Sequence, residues 1–290
     1  MAGILLLGST GQLGVELQRL LPEETEILAL SRQEADLTDC DALRSIIRKT
    51  RPRFIVNAAA YTAVDRAESE PGLARSVNAV APAIMAEEAR PLNAWLLHFS
   101  TDYVFDGSGT RPWTESDLPN PLSAYGRTKL EGEQGIASAG CRHLIFRTSW
   151  VYASHGNNFL RTILRLGRER ERLSIVDDQT GSPTSAKELA RATARVLERL
   201  QDGQSLPPEP GIYHMTCSGS TTWFGFAREI FATLGARARA PELLPISTEQ
   251  YPTPACRPRN SVLDCDKLER AMSIRLASWQ NALKEVIAEL

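Results

Sequence analysis

The chain has 290 residues, of which 42% are hydrophobic and 23% charged, enough for one large or two modest domains with a buried core. A formal net charge of −2 argues against nucleic acid or an anionic membrane as the main partner. No apolar run reaches the roughly 18 residues that would cross a bilayer, and Ile4–Leu7, which stops at Gly8 without a basic flank, does not read as a signal peptide.

Residues 3–7 form a short apolar run, the mark of a strand buried on both faces. It leads directly into Gly8-Ser9-Thr10-Gly11-Gln12-Leu13-Gly14 and then an amphipathic helix to about Leu21. A strand, a glycine turn and a helix start together make a phosphate cradle, because glycines admit the ligand to the backbone and the free N–H groups face its charge. The candidates for cofactor contact here are Gly8, Thr10, Gly11, Gln12, Leu13 and Gly14. A second strand, 26–30, ends at Ser31-Arg32. That pair suits a 2′-phosphate better than an acid would, so NADPH is expected, with NADH the alternative. Asp36-Leu37 reads either as an adenine contact or as a loop acid before a helix capped near Thr38.

A third strand, Phe54–Asn57, runs into Ala58-Ala59-Ala60-Tyr61, where small side chains leave room for a ligand. Asp65–Glu70 reads as a short, solvated acidic helix. The next helix, 71–90, holds Pro82, which leaves the Asn78 carbonyl without its helical partner; the result is either a plain kink or a water site near Lys129. A fourth strand, Trp95–Ser100, ends at Thr101, and the Gly-, Pro- and Ser-rich loop 106–124 is long enough to be functional and is a lid candidate.

Tyr125 and Lys129 are four apart on the following helix and so share one face. An ammonium one turn from a phenol favours the phenolate, lowering a pKa that is ordinarily about 10 and making the tyrosine a usable general acid. Thr101 could orient a carbonyl oxygen beside it. With a fifth strand at 143–148, the order of elements predicts a parallel, doubly wound α/β sheet of Rossmann type.

Beyond Thr148 the texture changes towards a smaller mixed α/β substrate domain. The expected division is 1–148 for the dinucleotide and 149–290 for the substrate, with about 172–216 returning to the first. Trp150, Asn157, Asn158 and Phe159 suit stacking and hydroxyl recognition. An arginine-rich helix follows, read as a solvated face, and then a polar connector at 201–210. In Arg257-Pro258-Arg259-Asn260-Ser261 a fixed arginine could fork onto a phosphate, which makes Arg257 and Asn260 substrate candidates. The five cysteines are scattered without a C-x-x-C pair and read as reduced thiols of a cytoplasmic protein; the four histidines lack metal-ligand spacing.

Taken in order, Gly8–Gly14, Asn57–Glu68, Val77-Asn78-Ala79, Ser100–Gly107, Tyr125-Gly126-Arg127-Thr128-Lys129, Arg147–Tyr152 and Arg257–Ser261 resemble the extended short-chain dehydrogenase/reductase superfamily. Within it they are most similar to the dTDP-4-dehydrorhamnose reductase family. The resemblance covers nearly the whole chain. It implies a Thr101, Tyr125, Lys129 triad that reduces the C4 ketone of a dTDP-4-dehydro sugar with NAD(P)H, and a cofactor site that includes Ser31, Arg32, Asp36, Leu37, Ala58–Tyr61 and Asn78. In that picture Tyr125 protonates the forming alkoxide, Lys129 lowers its pKa and binds the nicotinamide ribose, and Thr101, Asp102, Tyr103 and Val104 face the sugar.

Related 4,6-dehydratases carry a glutamate where this chain has Tyr103, so elimination of water would lack its catalyst. An epimerase needs only the same triad and stays open. So does a non-catalytic role like that of the regulatory subunit of methionine adenosyltransferase. Some relatives also hold Mg²⁺ between two subunits through glutamates. Glu16 sits where one such ligand would be, but the second place holds Lys187, with Glu188 one residue on, so the metal is expected to be dispensable in a monomer or homodimer.

Overall fold

The computed structural model describes residues 3–22, 25–202, 208–235 and 239–290; residues 203–207 of the expected connector lie outside them. Six short strands build the central sheet: β1 (Ile4–Leu7), β2 (Ile27–Leu30), β3 (Phe54–Asn57), β4 (Trp95–Thr101), β5 (Arg142–Thr148) and β10 (Gly211–His214). Their order is β10-β5-β4-β3-β1-β2 and every pairing is parallel. The wholly buried β1 and β3 are apolar at nearly every position because helices cover both faces. The edge strand β2 is only half-buried.

Helices α1 (Gln12–Leu20) and α8 (Ala186–Asp202) pack together over one face, where the larger core lies. The other face is covered by α2 (Cys40–Thr50), α5 (Ala81–Leu92) and α6 (Ala124–Ala139) over a second core. Two shorter helices, α3 (Val64–Ala67) and α4 (Pro71–Arg75), lead into α5. The chain turns one way from β1 to β2 and the other way to β3, so a crevice opens at the carboxyl ends of β1 and β3, the place where doubly wound sheets bind ligands.

The helix expected over 71–90 is divided. A π turn at Ser76–Val80 absorbs Pro82, which becomes an opening residue of α5. The Asn78 carbonyl points at α6, where Gly132 leaves room for it; a Cβ there would sit 2.1 Å from that oxygen. Close helix packing thus accounts for this carbonyl better than a water near Lys129.

The rest of the chain forms small strand pairs and helices: β6 (Val151–Tyr152) with β9 (Thr184–Ser185), β7 (Arg172–Val176) with β12 (Glu242–Ile246), and β8 (Thr180–Gly181) with β11 (Thr221–Thr222). Among them lie α7 (Phe159–Glu169), α9 (Trp223–Leu234), α10 (Asp266–Met272) and α11 (Trp279–Ala288). Within residues 172–216, β10 joins the main sheet and α8 packs on α1, whereas β7 pairs outside that sheet.

Loop 106–124 is fastened rather than free. Trp113 stacks on Phe105 with ring centres 4.6 Å apart and donates its ring N–H to the Asn260 carbonyl. Its backbone pairs with Val262 and Asp264, and Glu115 accepts the His214 N–H.

Candidate active site

The glycine turn follows from its backbone. Gly8 has a φ of +84°, and at Gly14 a Cβ would come within 2.1 Å of the Gly8 carbonyl, so the first turn of α1 can press against the end of β1. Gly14 therefore serves the packing of strand on helix, and Gly8 and Gly11 face the ligand side. Gly11 caps α1 without a side-chain hydrogen bond, which leaves the N–H groups of that helix end available to an anion.

Beside this turn lies a cleft of about 350 Å³. It brings together Gly8, Thr10, Gly11, Gln12, Leu13, Arg32, Asp36, Leu37, Ala58, Ala59, Ala60, Tyr61, Tyr125 and Lys129, all candidates from the sequence. It also recruits Phe99, Ser100, Thr148, Val151 and Leu189, which the sequence did not single out.

Three expected cofactor contacts take other places. Besides Gly14, Asn78 is fully buried and grips both the N–H and the carbonyl of Tyr61 while bonding Thr128, so it fixes the loop that lines the cleft. Ser31 gives its hydroxyl and N–H to the Glu34 carboxylate, 2.7 and 2.9 Å away. That leaves Arg32 as the cationic group at this end of the cleft. Asp36 lines the cleft and also closes a tight turn with Thr38; the cap of α2 is Asp39 rather than Thr38.

Tyr125 lines the cleft and is half-buried. Burial pushes its pKa up to about 12; the Thr101 hydroxyl beside it pulls the other way. This corrects the expectation that Lys129 lowers the tyrosine in the free protein. Desolvating a phenolate outweighs the neighbouring hydroxyl, and Lys129 is turned elsewhere. Its Nζ, on a residue only 1% exposed, lies 2.6 Å from the Phe99 carbonyl and 3.2 Å from Nε2 of His98. Burial lowers the Lys129 pKa to about 8, against the pull of Glu133.

Thr101 donates to Oδ1 of Asp102 at 2.9 Å and accepts the Tyr103 N–H. Asp102 is buried, and desolvation raises its carboxyl to about 7, opposed by hydrogen bonds from Ser261 and Thr101. Tyr103 meets Tyr125 edge to face at 5.7 Å. Val104 is wholly buried with Phe105 and Leu263, so it holds the turn down and does not reach a ligand.

Behind the cleft, Glu133 and Arg147 form a two-bond ion pair of 2.6 and 2.9 Å with both side chains only 2% exposed. Ser100 donates to the same carboxylate, and the guanidinium lies over the Phe105 ring. The sequence held a signal for this pair. Glu133 continues the Tyr125, Lys129 face by one more turn of α6, and Arg147, next to last in β5, pairs in register with Ser100 of β4.

The candidates from the second half of the chain are mostly committed to structure. Trp150 stacks on Trp223 at 3.5 Å. Asn158 caps α7 and donates to Gln12, Ala153 and His155, while Phe159 packs on Trp223 and Phe226. Asn157 is exposed just before that cap. Asn260 is spent on Arg111 and Val262. Arg257 is held by Asp65, at 2.8 and 3.1 Å, on the side facing Tyr103. Asp65 and Glu68, which accepts the Ala124 N–H, are thus ties between segments and not a solvated face.

Comparison with known proteins agrees with this arrangement. The family model described as RmlD substrate binding domain matches residues 1–290. The dTDP-4-dehydrorhamnose reductase of Salmonella typhimurium is 44% identical, covering 99% of this chain and 97% of its own. The Bacillus subtilis spore coat polysaccharide biosynthesis protein SpsK is 37% identical over 100% and 98%. Among solved structures, dTDP-4-dehydrorhamnose reductase from Bacillus anthracis in complex with NADP superposes with a TM-score of 0.92 at 34% identity, covering 100% of both chains. A full-length family match, relatives above 40% identity and a shared fold with the glycine turn and Tyr125 on one crevice place this chain in the dTDP-4-dehydrorhamnose reductase family.

Proposed function

We propose that the protein reduces the C4 ketone of dTDP-4-dehydro-L-rhamnose to dTDP-L-rhamnose with NADPH, a step in making a sugar donor for surface polysaccharide. The observation that carries this reading is the meeting of Tyr125, Lys129 and Thr101 with the glycine turn at one sheet edge, in a chain whose relatives carry that activity. The free end of α1 and the Gly8–Leu13 turn would hold the diphosphate, Arg32 the 2′-phosphate, and Ala58–Tyr61 the body of the dinucleotide. When bound, NADPH supplies the hydride.

The protein's own part is proton supply and placement. Tyr125 gives its proton to the C4 oxygen, and Thr101, fixed by Asp102, orients that oxygen. Lys129 acts from behind Tyr125. Arg257, fixed by Asp65, presents a cation on the Tyr103 side, suited to a substrate phosphate. Residues 1–148 with α8 and β10 would form the cofactor unit, and the remainder the substrate unit.

The direct test is oxidation of NADPH by purified protein given dTDP-4-dehydro-L-rhamnose, compared with NADH. Turnover with a preference for NADPH is expected. Tight NADP binding without turnover would favour a regulatory role, and sugar inversion without net oxidation an epimerase.

The residues do not suit a divalent ion. Glu16 accepts from Arg19, and the Lys187 ammonium already sits 2.6 Å from Glu289 and 3.9 Å from Glu285. Among the described residues no group of three or more His, Cys, Asp or Glu is arranged to hold a metal. Dialysis against EDTA is expected to leave turnover and oligomeric state unchanged; loss of either, restored by Mg²⁺, would count against metal independence.

A further inference from the structure

Three buried side chains behind the cleft pose a hydrogen-bond problem with a definite answer. Asn57 and His98 are both 0% exposed and Lys129 is 1% exposed, so water does not complete their bonding. The Asn57 amide lies with one end 3.2 Å from the Ala59 N–H and the other 3.0 Å from Nδ1 of His98. A backbone N–H can only donate, so the end facing Ala59 is the oxygen and the end facing His98 is the NH₂. Nδ1 of His98 must then accept, and the single proton of the neutral ring sits on Nε2. Burial and the neighbouring Lys129 both keep that ring neutral.

The Nε2–H points at Nζ of Lys129, 3.2 Å away, while Nζ also lies 2.6 Å from the Phe99 carbonyl. An ammonium would set N–H against N–H. A neutral amine accepts from His98 through its lone pair and donates to Phe99, so both of these contacts become hydrogen bonds.

We infer that Asn57, His98 and Lys129 form a hydrogen-bond switch that carries Lys129 as a neutral amine in the cofactor-free protein, with His98 the positioning residue that sets its protonation. Adding a proton to Lys129 requires the ring proton of His98 to pass from Nε2 to Nδ1 and the Asn57 amide to turn, which leaves its NH₂ against the Ala59 N–H. One proton is taken up in all. The switch therefore holds the lysine below the value that burial alone would set.

The other ionisable groups around Lys129 do not remove this constraint. On α6, Tyr125 lies one turn before it and Glu133 one turn after. Glu133 favours the ammonium but is bound by Arg147 of β5. Asp102, in the turn after β4, is tied to Thr101. From α3 and α4, Arg66 pairs with Glu70 and Arg75 with Glu131, while Glu68 meets Arg127 and Ala124. On α5, Glu88 is taken by Arg44 and Arg48.

This inference rests on the reading that Lys129 supports Tyr125, and the two are separable. Nitrogen-15 NMR of histidine-labelled, cofactor-free protein near pH 8 should show His98 protonated on Nε2 and bare on Nδ1; the Nδ1–H tautomer or a charged ring would overturn the switch. In His98→Gln a carbonyl can face Lys129, and in Asn57→Asp both oxygens accept, turning the ring to Nδ1–H. In both variants the alkaline limb of kcat/KM should rise by about one pH unit. A purely structural role would lower activity and leave the limb in place, and that result in both variants would also overturn the switch. Full turnover by Lys129→Met would instead defeat the catalytic reading and leave the tautomer result untouched.

Discussion

Tyr125→Phe is expected to lower kcat by about a hundredfold or more, as loss of a general acid does, while NADPH binds within a few-fold of its original affinity. The variant keeps the ring that lines the cleft and meets Tyr103 edge to face, so the shape of the site survives and only the proton is lost. Burial lifts the phenol to about 12 in the free protein, so Tyr125 holds its proton throughout the neutral range. The sign follows. Raising the pH from 6 to 8 should not deplete the acid form of Tyr125, and a rate loss in that interval belongs to another group, such as Asp102 near 7 or Lys129, whose pKa burial lowers. Stopped-flow NADPH oxidation with a separate fluorescence titration of cofactor binding checks both parts. Near-normal turnover in the variant would remove Tyr125 from the chemistry.

The second large effect concerns stability. Glu133→Gln should destabilise the fold by about 3–5 kcal/mol, because it leaves the Arg147 charge buried without its counter-ion. Arg147 is only 2% exposed and one of its nitrogens already has no partner. The neutral amide keeps the volume and one acceptor, so the cost is mainly electrostatic. Denaturant unfolding at a single pH, compared with an Arg147→Met, Glu133→Leu double variant, is the measurement. The double variant should recover much of the loss, since replacing a buried pair with apolar groups is often tolerated. A single variant as stable as the parent would mean that Arg147 finds another partner or reaches water.

The parts of the site that were legible early share one property. Gly8, Gly11 and their turn, the alanines after β3, and Tyr125 with Lys129 each announce themselves within a few residues. A glycine turn between strand and helix, or two side chains one helical turn apart, is a local arrangement that periodicity carries. The expected roles of Asn78, Asn158, Asn260, Glu68 and Asp65 were less legible. Polar residues at loop ends suit a ligand and a neighbouring backbone equally well, and the choice depends on which backbone arrives. Asn158 meets Gln12, and Asn78 meets Tyr61.

The sequence by itself determined the alternation of strands and helices, the phosphate cradle, the tyrosine–lysine face and, through its ordered motifs, the resemblance to a reductase family. Tertiary structure alone decided the charges. Lys129 meets His98 across 31 positions of chain, Glu133 meets Arg147 across 14, and Asp65 meets Arg257 across 192. Burial and partner together set a pKa, and both follow from the order of strands in the sheet and not from neighbours in the chain. This is why a tyrosine expected to be lowered by its lysine instead sits high, with that lysine bound to the strand behind it.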